Sequence, residues 1–193
     1  MILAPFDELN VIREKLEKER AKWDPLTKPP QGLVQDTVDD LMYLLILAYV
    51  FGKDHACEDL KMKVDVDEKK MQEAIYEKID GEDWVARVQK HMEHFDVDMV
   101  MVVAETEMNR DFNQGGMDSA ALIEKKAGRS VKKTWWTMGD DKVRETHAPL
   151  DGVKLDLGDR FYTIDGDSAL APGNFTLPSN NVNCRCTLAF SYG

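Results

Sequence analysis

Residues 41–51 read LMYLLILAYVF, an unbroken apolar run that ends at Gly52. Crossing a bilayer takes roughly 20 apolar residues, and this run has only eleven. It reads instead as the second half of a helix over residues 33–51, stopped at Gly52. Its apolar side chains go nearly all the way round, so this helix belongs at the centre of a core or in an interface.

Other helices follow from 3.6-residue spacing. Leu9, Ile12 and Leu16 predict an amphipathic helix over residues 6–22, closed off by Pro25 and the Pro29-Pro30 linker. Met71, Ala74, Ile75 and Ile79 share one face of a helix over 68–79 that ends at Asp80-Gly81. Trp84, Val88, Met92 and Phe95 do so over 82–95, and Val100, Ala104, Met108 and Phe112 over 97–112. Gly115-Gly116 then predict a break, followed by a short helix that stops at Gly128.

From Ser130 the pattern changes period. Residues 131–138, 153–157 and 161–164 read as strands, separated by Gly139-Asp140-Asp141, Pro149-Leu150-Asp151-Gly152 and Asp165-Gly166 turns. Residues 167–181 read as loop. A last strand over 182–190 puts Val182, Cys184, Cys186, Leu188 and Phe190 on one face, with Asn183, Arg185 and Thr187 on the other. The expected fold is therefore α+β: a helical region over residues 1–128, then a small antiparallel β-rich module over 129–193.

The formal net charge of −11 argues against binding to a phosphate backbone, which needs a basic footprint, and makes nucleic acid an unexpected partner. The start of the chain lacks a basic segment followed by a long apolar one, so neither a secretory signal nor a membrane association is expected. Cys57, Cys184 and Cys186 are too few for a disulfide framework, and the chain reads as a product of a reducing cytosol.

One constellation could carry chemistry: His147, Cys184 and Cys186. Thiolates and imidazole are zinc ligands, and a C-x-C strand aims both sulfurs to one side. A structural zinc normally takes four ligands, and Asp140, Asp141, Cys57 or a water are all candidates for the fourth. The plainer reading is two cysteines packed as small hydrophobes and a hydrogen-bonded histidine. Cysteine–histidine catalysis would need an electropositive cleft, which the apolar face of a strand does not offer. His91 and His94 lack the H-E-x-x-H spacing and read as a solvated helix face, and His55 with Cys57 is no stronger. Glu107 and Arg110 read as an i,i+3 ion pair. Asp165-Gly166-Asp167 reads as a turn, because it lacks the further ligands of a calcium loop.

Several short motifs occur in a fixed order. Thr106-Glu107 lies on a helix, and Lys133-x-Trp135 follows. Then come Asp140, Arg144, His147 and Leu150-Asp151-Gly152, with Phe161, Pro172 and Asn183-Cys184-Arg185-Cys186 closing the series. Over about residues 100–190 this resembles the phage Mu F-like minor head, or head morphogenesis, family. The resemblance implies a non-enzymatic structural protein of a tailed bacteriophage, acting in head morphogenesis or genome ejection. It would sit in the virion, and in the host cytoplasm during assembly. Its partners would be the portal or the major capsid protein, or further copies of itself. Glu107, Trp135, Arg144, Asp151, Gly152, Asn183 and Arg185 become its organising residues, with Arg185 and Asp151 as an expected buried ion pair. Some members carry appended toxin domains, and none is expected here, since four residues follow Ala189. The alternative is a metal-dependent hydrolase or toxin-like enzyme centred on His147, Cys184 and Cys186, marked by an open metal position beside a cleft.

Overall fold

The computed structural model describes residues 4–79 and 81–193, so residues 1–3, where a signal would begin, and the turn residue Asp80 lie outside the described residues. The fold is α+β, with helices first and a small antiparallel sheet last. The helices are α1 (Ala4–Arg20), α2 (Gln31–Leu60), α3 (Glu68–Ile75), α4 (Trp84–Met92) and α5 (Val97–Ala127). Asp67, Asp83 and Asp96 start α3, α4 and α5, each accepting a hydrogen bond from the backbone N–H three residues on. This satisfies donors that the first turn leaves free. Gly128, with φ of +62°, closes α5 in the left-handed conformation.

Two expected breaks are absent. α2 runs through Gly52, and α5 runs through Gly115-Gly116. The glycines are packing residues: a Cβ on Gly52 would lie 1.8 Å from the Phe112 carbonyl oxygen, and one on Gly115 would lie 2.1 Å from that of Tyr49. The two backbones touch there, and only glycine fits. Tyr49 Oη donates to Asp118 at 2.7 Å beside this contact.

Two apolar cores lie along the pair. Leu41, Leu44, Leu45 and Ala48 of α2 join Val100, Met101, Ala104 and Met108 of α5 in the first, which α1 and α4 cover. Ala56 and Leu60, with Ala120 and Ile123, enter the second, which holds the apolar residues of the strands. The residues 41–51 run is thus core on one face, and it is open on the other at Tyr43, which is 60% exposed.

The sheet has order β2–β1–β5, built from β1 (Val131–Trp136), β2 (Lys154–Asp156) and β5 (Thr187–Tyr192), all antiparallel. Lys133 sits opposite both Leu155 and Phe190, and Trp135 opposite Leu188. A second small hairpin pairs β3 (Phe161–Tyr162) with β4 (Ser168–Ala169), and a one-turn helix, α6 (Pro178–Asn181), follows. The stretch expected as loop over 167–181 therefore contains both β4 and α6.

A candidate metal centre

The expected strand over 182–190 begins only at Thr187. Asn183 has φ of +57°, a left-handed turn that asparagine tolerates better than most residues, and Cys184 N–H bonds back to Asn181 O at 3.0 Å. Two side chains of α5 then hold the segment. Thr106 Oγ1 accepts from Asn183 N–H at 3.2 Å, while Asn113 donates to Cys186 O and accepts from Leu188 N–H, both at 3.1 Å. Those contacts take the place of a strand neighbour. Cys184, Cys186, Leu188 and Phe190 are nevertheless all buried, so the alternation persists without the strand, whereas Val182 is 38% exposed and leaves that face.

His147 enters from the other side, just ahead of a 3-10 turn at Ala148–Leu150. Its N–H bonds to Arg144 O at 3.0 Å. Its ring stacks on Phe175 with centroids 5.3 Å apart and meets the Trp135 ring edge-on at 5.5 Å. Trp135 is fully buried and also packs edge-on against Phe161. Held between rings, His147 aims Nδ1 at Cys184 Sγ, 3.7 Å away, and Cys186 Sγ, 3.5 Å away. Its Nε2 is buried without a hydrogen-bond partner. The Cys186 thiol hydrogen-bonds to Cys184 and, together with His147, holds Cys184 well below the usual thiol range against the opposing effect of burial. Cys184 in turn, together with burial, pushes the Cys186 thiol up. The pair therefore carries one negative charge more readily than two.

The donor atoms of His147, Cys184 and Cys186 all lie within 4.8 Å of one another, and among the described residues no carboxylate or further cysteine joins them. Asp140, a candidate fourth ligand, is engaged by Arg185, whose two guanidinium nitrogens donate to its two oxygens at 2.9 and 2.8 Å. A cavity of about 10 Å³ abuts His147 and Cys186, walled by Lys142, Arg144, Asn183 and Arg185.

The Arg185–Asp140 pair also corrects the expected Arg185–Asp151 pair. Arg185 points outward, and the side chains of Arg185 and Asp140 are 42% and 39% exposed. Asp151 is exposed and accepts instead from Thr137 N–H at 2.7 Å and Thr137 Oγ1 at 2.8 Å. Gly152, with φ of +74°, makes the left-handed turn that lets its N–H reach Trp135 O at 2.8 Å. The Leu-Asp-Gly turn is thus fastened to the end of β1. Arg144 donates to Val182 O, tying the His147 loop to the cysteine segment.

The expected Glu107–Arg110 pair is present, and both residues are buried, at 0% and 2% exposure. Arg87 donates to Glu107 Oε1 at 2.8 Å. Arg110 Nη2 lies 2.7 Å from Glu107 Oε2, but its aligned hydrogen bond goes to Ala74 O at 2.9 Å. Burial pushes the neighbouring Asp111 carboxyl up to about 8, despite the lowering effect of Arg110.

Two further buried polar residues gave no signal of their role in the sequence. Lys133 points inward from β1 and donates to Leu157 O and Leu170 O, both at 2.8 Å. Asp167 gathers the backbone N–H groups of Ser168, Thr176 and Leu177, and Nδ2 of Asn180. Each fastens loops that short strands cannot. His55 bonds to Leu188 O at 3.0 Å, and His91 and His94 join no metal-binding group among the described residues.

A larger cleft of about 370 Å³ lies where α5 meets the loop after β4, lined by Arg110, Arg160, Gly173 and Phe175 among others. No histidine or cysteine is among its described lining residues. No helix among the described residues is long and apolar enough to cross a membrane.

Comparison with known proteins bears on the same residues. Over 104 residues the chain is 32% identical to the minor head protein GP7 of Bacillus phage SPP1, a match that covers 54% of this chain and 33% of that protein. Over 88 residues it is 40% identical to the NAD(+)–arginine ADP-ribosyltransferase EFV of Enterococcus faecalis, covering 44% of this chain and 17% of that one. The matched stretch is thus a third or less of either relative's length. No solved structure matches. The family model of the Phage Mu protein F like protein matches residues 66–189, from just ahead of α3 to within β5, and the chain belongs to that family.

Proposed function

We propose that this chain is a structural, non-enzymatic component of a tailed-phage head, acting in head morphogenesis or genome ejection. In that role it meets the portal or the major capsid protein, or further copies of itself. It resides in the virion, after passing through the host cytoplasm during assembly. The family membership and the match to a minor head protein favour this reading. The observation that carries it against an enzyme is the size of the space at the His147–Cys184–Cys186 centre. All three residues are at most 5% exposed, and the adjoining cavity of about 10 Å³ holds a water but no substrate. A hydrolase would need room for a substrate beside the metal, and this cavity is too small to give it. The stretch shared with the ADP-ribosyltransferase is 17% of that protein, and the other relative is named a minor head protein.

The test is to purify particles and empty heads of the encoding phage and quantify the chain in each by mass spectrometry. The same lysates from a phage lacking the gene are then counted for heads and for infectivity. The expected result is a fixed low copy number per head, with malformed or non-infectious particles when the gene is absent. Normal infectious particles that never contain the protein would refute the reading. The purified chain is further expected to transfer no ADP-ribose from NAD⁺ to arginine.

A further inference from the structure

We propose that His147 Nδ1, Cys184 Sγ and Cys186 Sγ bind one zinc ion, with a water in the adjoining cavity as fourth ligand. The geometry of the donors carries this. With zinc–sulfur bonds near 2.3 Å and zinc–nitrogen bonds near 2.0–2.1 Å, a tetrahedral site sets its nitrogen and sulfur donors about 3.6 Å apart. The two nitrogen–sulfur separations here are 3.5 and 3.7 Å. Hydrogen bonding alone fits this arrangement less well. The Cys186 thiol can donate to Cys184, but such a bond does not require both sulfurs to lie at ligand distance from the one nitrogen, as they do. A cation at the centre of the three atoms satisfies all of them at once.

The surroundings fix the ligand count. Asp140 is occupied by both nitrogens of Arg185, and no other ligating side chain among the described residues comes within reach. The cavity beside His147 and Cys186 has about the volume of one water. With both sulfurs bound as thiolates, the dication and their two charges leave a neutral centre, which a buried site can hold. Three of the module's five strands are only two or three residues long. A metal joining residues 37 and 39 positions apart gives such a module a tie that its small core lacks.

The test uses the full chain, purified without metal-affinity resin. Elemental analysis and native mass spectrometry should find one zinc per chain, retained in Cys57→Ser and reduced to below about a tenth in Cys184→Ser and Cys186→Ser. Because the serine variants may fail to fold, the wild-type protein is also stripped with a chelator and reloaded with cobalt(II). Visible bands of a four-coordinate ion with thiolate charge-transfer absorption are the expected result. X-ray absorption at the zinc edge should show two sulfur neighbours and two lighter ones, as one imidazole and one water require. No metal, with both thiols alkylated freely or joined as a disulfide, overturns the proposal. So does metal that survives in the serine variants, or a cobalt spectrum without thiolate bands. A third sulfur neighbour, or a second imidazole, overturns the water as fourth ligand.

Discussion

Replacing Gly115 with alanine tests whether the α2–α5 contact organises the fold. The new Cβ would stand 2.1 Å from the Tyr49 carbonyl oxygen and 2.9 Å from its carbonyl carbon, and neither atom belongs to a side chain that can swing away. Restoring ordinary contact forces the helices about 1 Å apart, and a gap of that size forfeits a quarter to a half of each dispersion contact along the seam. Overpacking of this kind costs about 1–3 kcal/mol, and the lost contacts add to it. The better helix propensity of alanine returns about 1 kcal/mol. The net expectation is a destabilisation of about 2–4 kcal/mol, or a fall in Tm of roughly 5–15 °C for a chain of this size. Urea unfolding followed by circular dichroism measures it, with Gly32→Ala as the control. A Cβ on Gly32 meets nothing within 4 Å, so that variant should gain about 0.5 kcal/mol. A Gly115→Ala protein as stable as the wild type would refute the reading of these glycines as contact residues.

Other substitutions separate the remaining contacts. Asp140→Ala removes an exposed pair and should cost less than Asp151→Ala, which loses both bonds from Thr137 and should cost about 1–2 kcal/mol; thermal melting of the two variants would show the order. Lys133→Met leaves Leu157 O and Leu170 O without their donor and should cost about 2–3 kcal/mol by urea titration, despite its apolar surroundings. Asp111 supplies a pH dependence. Its folded carboxyl is raised to about 8, so the folded state holds a proton that the unfolded chain releases near pH 4, and stability falls as pH rises from about 4 toward 8. Asp111→Asn should flatten that part of the stability profile; an unchanged slope would show that Asp111 is not its source.

Much of the fold was legible because periodicity survives context. The amphipathic faces of α1, α3 and α4 and the inward alternation of Cys184, Cys186, Leu188 and Phe190 were read, although α3 and α4 stop at Ile75 and Met92, short of Ile79 and Phe95. Glycine was the main source of error. Its usual meaning in a helix is a stop, and nothing local shows that a second backbone lies against Gly52 or Gly115. The strand over 182–190 failed at its start because a single left-handed residue, Asn183, ends extended pairing while leaving side-chain alternation intact. At the site, the nearness of His147 to the two sulfurs was readable from residue type and order. The partner of Arg185 was not: Asp140 and Asp151 both lie in turns near His147, and only the path of the chain separates them. The Glu107–Arg110 pair was readable from its i,i+3 spacing, whereas its burial was not, because spacing alone does not show that α5 is enclosed on most sides.

Because α2 and α5 each run unbroken from one core into the other, the two cores have no seam at which to part. Opening the β-rich end would uncover Ala56, Leu60, Ala120 and Ile123 while the same two helices stay clamped farther back. Amide hydrogens on either side of Gly52 and Gly115 should therefore exchange through one shared opening event, with similar free energies along both rods. A load applied at the sheet would be carried along the helices into the first core, as through a pair of struts joined at a single rivet.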